Sequence, residues 1–204
     1  SNYINITLIK YDIICYIPQG GVIMTFEEKT LSSERIYEGR ILNLRCDEVT
    51  TINGTSYREI IEHNGGAAIA ALTDERKMVM VRQFRKPSER VMLEVPAGKR
   101  DGGESGLEVA RRELREETGY SAEFMTHLTS IFTTVGYSEE VLDIYLAEGL
   151  MPGETNFDDN EAIDILEIQL DELVDMIMAG KIEDAKSIVA IMMTAEILRR
   201  RSDG

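Results

Sequence analysis

The chain has 204 residues, enough for one packed domain or a domain with a small appendage. Its 43% hydrophobic and 29% charged residues are a globular balance and argue against a disordered chain. Twenty-two Lys and Arg against 37 Asp and Glu give a formal charge of −15, which argues against a grip on nucleic acid or an anionic membrane, since both need clustered cations.

In chain order, residues 1–23 read as a leader or extension without an assigned role. They contain apolar stretches but a single Lys, and Pro18 with Gly20 and Gly21 interrupts them, so they lack the charged start and unbroken apolar core of a secretory signal. Residues 24–63 read as an N-terminal β segment, with Asn53-Gly54 between β-favouring residues as a hairpin signal. Short apolar runs at 67–72 and 78–81, separated by a polar turn, read as two strands, and 91–95 as another stopped by Pro96. Residues 105–118 read as a helix ending at Gly119, 124–134 and 141–147 as strands, and 170–178 and 183–200 as helices. The last helix is apolar at Ile188, Ile191, Met192, Ala195 and Leu198, a stripe assigned to the domain core in preference to an interface. Strands interleaved with a few helices, without a regular βαβ rhythm, predict an α+β or mixed-sheet architecture. No apolar run approaches the ~20 residues needed to span a bilayer. Cys15 and Cys46 have no metal-binding or disulfide spacing and suit a reducing, cytoplasmic compartment, while His63 and His127 read as structural.

The chemistry concentrates on the 105–118 helix. At about 100° per residue, Glu113, Glu116 and Glu117 share one arc of about 100°. Leu107, Ala110 and Leu114 form its buried stripe. Like charges at these spacings repel, and they crowd the helix C-terminus, where the macrodipole is already negative. A bound cation would offset both effects, and oxygen-only ligands favour Mg²⁺ or Mn²⁺ over zinc. A divalent ion would also draw a phosphate substrate to an acidic protein.

The stretch reads Gly98-x5-Glu104-x7-Arg112-Glu113-Leu114-x-Glu116-Glu117-x-Gly119-Tyr120 and resembles the signature of the Nudix hydrolases at every specified position. The resemblance implies an α/β/α sandwich around a mixed sheet, covering residues 64–204, and metal-dependent hydrolysis of a nucleoside diphosphate linked to another moiety. It makes Glu113, Glu116 and Glu117 metal ligands, with Glu113 also catalytic, and gives Gly98, Glu104, Arg112 and Gly119 structural roles, Glu104 pairing with Arg112. Flanking segments resemble the ADP-ribose pyrophosphatase branch: Arg58-Glu-Ile-Ile-Glu-His63, Val81-Arg-Gln-Phe-Arg85, Leu93-Glu-Val-Pro-Ala-Gly-Lys99, Asp158-Asp-Asn-Glu-Ala-Ile163 and Gly180-Lys-Ile-Glu-Asp-Ala-Lys186. That branch implies ADP-ribose cleaved to AMP and ribose 5-phosphate, the Ala97 carbonyl as a further metal ligand, Glu161 as general base with Asp159 second, and Arg85, Arg58 and Glu94 on the substrate. It also implies a homodimer formed through the N-terminal β segment. Val135 stands where the branch usually has proline, so GDP-mannose or another nucleotide sugar stays open as substrate. Hydrolysis of nucleoside triphosphates or dinucleoside polyphosphates on the same fold stays open too, as does a non-catalytic nucleotide sensor.

Overall fold

Strand β4 (Gly66–Leu72) is buried along its whole length, and its small apolar side chains divide between two cores. Ala67, Ile69 and Ala71 pack with Val109, Ala110 and Leu114 of helix α1 (Gly106–Thr118). Ala68, Ala70 and Leu72 face the opposite core with Leu170, Leu173, Ala190 and Ile191 of helices α2 (Leu170–Met178) and α3 (Ala185–Asp203). Alternate residues serving different layers is the period of two that an extended chain imposes, and burial on both faces explains the continuous apolar run. The computed structural model describes residues 26–155 and 163–203.

The remaining strands are β1 (Thr30–Glu38), β2 (Asn43–Thr51), β3 (Gly54–Glu62), β5 (Lys77–Arg85), β6 (Arg90–Glu94), β7 (Ala97–Lys99), β8 (Ser121–Phe132), β9 (Val141–Met151) and β10 (Asp164–Gln169). The central sheet runs β10-β5-β4-β9-β8, with β6 added to β5 and β7 to β4. It is mixed: β4 pairs parallel with β9 and antiparallel with β5 and β7. Helices on both faces make an α/β/α sandwich, the architecture implied by the signature. A separate antiparallel sheet, β1-β2-β3, lies before it, with the Asn53-Gly54 turn joining β2 to β3. This sheet meets the sandwich through backbone bonds between Ile61 and the Tyr137–Glu139 segment and through an Arg45–Glu139 ion pair.

Three details depart from the sequence expectations. Leu107 is exposed, and Val109 takes its place in the buried stripe beside Ala110 and Leu114. Met192 in α3 is likewise exposed, while Ile191 is fully buried and Ile188, Ala195 and Leu198 pack on the core. β1, β7 and β10 are not separately expected as strands from the sequence: β1 is exposed at every residue, β7 is three residues long, and β10 is six residues long with none of them buried. The leader, residues 1–23, lies outside the described residues. No helix among the described residues is long and apolar enough to cross a membrane.

Candidate active site

The acidic helix is held at both ends by local chemistry. Ser105 is its N-cap in a capping box with Glu108, each side chain serving the other's backbone N–H. At the other end Gly119 adopts a left-handed conformation (φ 73°) and donates its N–H to the Arg115 carbonyl at 2.9 Å, a turn that favours glycine. Burial of Val109, Ala110 and Leu114 then fixes the rotation of the helix about its axis, which decides where the carboxylates point.

Those carboxylates meet β7 and the loop after it. Arg112 grips Glu104 with two hydrogen bonds of 3.0 Å, tying the loop to the helix, and donates to the Lys99 carbonyl at 3.1 Å. The Arg112 guanidinium and the Asp101 N–H hold the Glu104 carboxyl below its usual range. The same guanidinium reaches Glu113 at 2.6 Å and Glu116 at 3.1 Å through Nη1. Glu117 is buried and accepts the Ala97 N–H at 3.0 Å, pinning the helix to β7. Gly98 makes this closeness possible: a Cβ there would stand 1.7 Å from Glu113 Oε1.

A cleft of about 830 Å³ opens over this wall, lined by Ala97, Gly98, Glu113, Glu116 and Glu117 among others. Arg85 also lines it; its Nε and Nη2 are held by Glu94 at 2.7 and 2.8 Å. Burial would push the Glu94 carboxyl up, but hydrogen bonds from Arg85 and the charge and hydrogen bond of Lys186 outweigh it and hold the group at about 2. Glu94 itself stands behind the cleft wall, 3% exposed. Arg58 lies on β3, paired with Glu28 at 2.9 and 2.5 Å, and is not among the residues lining the cleft. Glu161 and Asp159 lie outside the described residues.

Several lining residues are given no functional role by the sequence reading. His63 and Glu140 approach each other to 3.3 Å on one wall, with Thr133 donating to Glu140 at 2.7 Å. Asp184 and Lys186 enter from the start of α3. For Lys186 the available signal is its place in the segment 180–186, one of those that resemble the ADP-ribose pyrophosphatase branch.

The donor set suits a hard divalent cation. Three carboxylates, all oxygen donors, project from one helical face beside β7, and a positive guanidinium nitrogen already lies between Glu113 and Glu116. Among the described residues no three His, Cys, Asp or Glu side chains are already gathered at metal-binding distances. Metal entry would therefore draw Glu113 and Glu116 off the Arg112 nitrogen, while the two bonds from Arg112 to Glu104 still brace the loop.

Residues 63–190 match the NUDIX domain family, and residues 28–58 match the nucleoside diphosphate sugar hydrolase N-terminal domain. The chain is 44% identical over 169 residues to a methanol dehydrogenase activator of Bacillus methanolicus, covering 81% of this chain and 91% of that protein. It is 39% identical over 170 residues to an ADP-ribose pyrophosphatase of Bacillus subtilis (strain 168), covering 82% and 92%. A crystal structure of an ADP compounds hydrolase superposes with a TM-score of 0.77 over 87% of this chain and 97% of that one, at 22% identity, a likeness of fold. With its acidic helix, capped loop and sandwich in place, the chain belongs to the NUDIX family and is a Nudix hydrolase of the ADP-ribose pyrophosphatase-like kind.

Proposed function

We propose that the protein hydrolyses the diphosphate bond of a nucleoside diphosphate sugar, with ADP-ribose giving AMP and ribose 5-phosphate. The observation that carries this reading is the placement of the Glu113, Glu116 and Glu117 wall and the Arg85 fork on one cleft large enough for a nucleotide sugar. Glu113, Glu116, Glu117 and the Ala97 carbonyl would hold Mg²⁺ or Mn²⁺. When bound, the ion neutralises the diphosphate and makes a bound water acidic enough to attack near neutral pH.

The chain's own residues do the rest. Arg85 offers a rigid, permanently charged fork to the diphosphate oxygens. Glu161 accepts the proton of the attacking water; oxygen adds to phosphorus and the bond to the bridging oxygen breaks, leaving phosphate on each product. The Glu104–Arg112 pair holds the loop against the helix, and Glu117 fixes the Ala97 peptide through its N–H. Arg58, outside the cleft lining, would reach substrate only from a neighbouring copy.

A second copy is part of the reading. β1 is the edge strand of its sheet and every residue of it is exposed, including the apolar Leu31, Ile36 and Tyr37, which a partner surface would cover. Residues 24–63 therefore form the dimerisation segment and 64–204 the hydrolase domain. Among the described residues Cys46 has no disulfide partner, and a cytoplasmic setting is part of this proposal. The test is a panel of ADP-ribose, GDP-mannose, other nucleotide sugars, nucleoside triphosphates and dinucleoside polyphosphates with Mg²⁺ or Mn²⁺ and with EDTA. AMP and ribose 5-phosphate from ADP-ribose, abolished by EDTA, is the expected result. Preferential release of inorganic pyrophosphate from triphosphates would overturn the substrate assignment.

A further inference from the structure

Four side chains close into one charge-balanced cluster at the wall of the cleft that the acidic helix also lines. Glu94 Oε1 accepts from Arg85 Nε at 2.7 Å, and its Oε2 accepts from Arg85 Nη2 at 2.8 Å and from Lys186 Nζ at 2.5 Å. Lys186 Nζ also donates to Asp184 Oδ2 at 2.9 Å. Asp184 caps α3 by accepting the Ser187 N–H at 3.1 Å, and Ser187 Oγ accepts the Val95 N–H at 2.8 Å, so the start of α3 is stitched to the segment leading to Ala97. Two carboxylates and two cations balance. Arg85, Asp184 and Lys186 line the cleft, whereas Glu94 is buried behind it.

The orientation of the fork follows from this cluster. Nε and the near hydrogen of Nη2 face Glu94, so the other edge, Nη1 with the second Nη2 hydrogen, is the one a phosphate can take. The two bonds tie the orientation of that edge to the Glu94 carboxylate, and Lys186 is the other side chain that holds Glu94 Oε2 in place. Lys186 already serves two carboxylates and its side chain is only 12% exposed, which ill suits a direct grip on substrate. Without its charge the cluster would carry a net negative charge, and Asp184 would compete with Glu94 and with substrate for Arg85.

The geometry points to Lys186 as a positioning residue: it fixes Glu94 and neutralises Asp184, so that Arg85 presents its outer edge to the diphosphate. This rests on the reading that Arg85 grips the diphosphate. A sequence cannot show the link, because β7, the signature helix, β8, β9, β10 and α2 all lie between Glu94 and Lys186.

The test uses the full chain labelled with [¹⁵N]arginine, with the Arg85 Nε–H signal assigned by its loss in R85K. In Lys186→Met, Arg85 Nε–H exchange with water should accelerate about tenfold or more. KM for the nucleotide sugar should rise about tenfold with kcat within about threefold of the parent. Adding Asp184→Asn should restore most of both, because asparagine still caps Ser187 while the charges balance again; lost packing alone would not be rescued this way. Should Lys186→Met unfold, the K186M/D184N double variant and Lys186→Gln, which keeps a donor for Glu94, are read by the same exchange measurement, with near-parental protection expected in the double variant and intermediate protection in Lys186→Gln. An Arg85 signal unchanged in K186M, a fall in kcat at constant KM, or no rescue by Asp184→Asn would overturn the inference. If the parent turns over no nucleotide sugar, the functional reading fails alone, and the exchange measurement still decides the role of Lys186.

Discussion

Gly98→Ala separates the site from the fold. The added Cβ would lie 1.7 Å from Glu113 Oε1 and 1.9 Å from its Cδ, whereas real Cβ contacts essentially never fall under 3.0 Å. The carboxylate must therefore retreat by at least about 1.3 Å, the difference between 3.0 and 1.7 Å. Metal-ligand distances tolerate only about ±0.2 Å, and a displacement near 1 Å costs on the order of 100-fold in rate. Folding loses much less, because the obstructing atoms end a flexible side chain and the Glu113–Arg112 contact is worth about 1 kcal/mol, partly offset by the lower entropy of an unfolded chain with alanine. We expect kcat to fall about 100-fold or more with Tm within about 4 °C of the parent. Gly66→Ala is the internal control. There the Cβ meets the Gly98 carbonyl oxygen at 2.2 Å, a backbone atom that cannot swing away, so a stability loss of about 1–3 kcal/mol should show in urea unfolding. Near-parental turnover in Gly98→Ala, with Glu113 shown displaced in a crystal structure, would refute the role given to Glu113.

Three further outcomes are expected. Glu117→Gln keeps an acceptor for the Ala97 N–H, so the variant should fold normally while turnover drops by about 100-fold or more; activity near the parental value in a steady-state assay would count against Glu117 as a metal ligand. Glu94, held at about 2 against an ordinary 4.5, stabilises the fold above pH 4.5 and loses that contribution as pH falls toward 2. The gap corresponds to on the order of 3 kcal/mol, so urea titrations should show the parent's advantage over Glu94→Gln shrinking from pH 5 to pH 2.5, and a pH-independent advantage would contradict the pairing. Leu31→Glu combined with Ile36→Glu should convert a species of about twice 23.0 kDa into one of 23.0 kDa in sedimentation velocity, and a parent that already sediments as a monomer would remove the dimer.

What the sequence disclosed and what it withheld follow from the range of the forces involved. The α1 helix was legible because its cap, its terminating glycine and its apolar spacing are all local. The β2–β3 turn was legible for the same reason. β1 was visible only as part of a longer β segment, because TLSSERIYE buries no face and is held by pairing with β2. Leu107 fitted the helical stripe by angle, but the sheet meets α1 on the side of Val109, roughly 160° round the helix from it. In the site, the carboxylate wall and the Glu104–Arg112 spacing lie within one short stretch. The Arg85–Glu94–Lys186 cluster depends on β5, β6 and α3 meeting in space, which no spacing reveals. Arg58 matched a flanking segment, yet it lies on the N-terminal sheet and pairs with Glu28.

The parallel ladder between β4 and β9, from Gly66↔Leu142 to Ala71↔Ala147, encloses the whole acidic helix within its crossover. Local hairpins can close early in refolding, but this seam waits for distant chain segments to find each other, and α1 gains its packing surface only as the seam forms. Recovery of hydrolysis after dilution from denaturant should accordingly trail the recovery of far-ultraviolet ellipticity, with catalytic competence reporting the last long-range docking event.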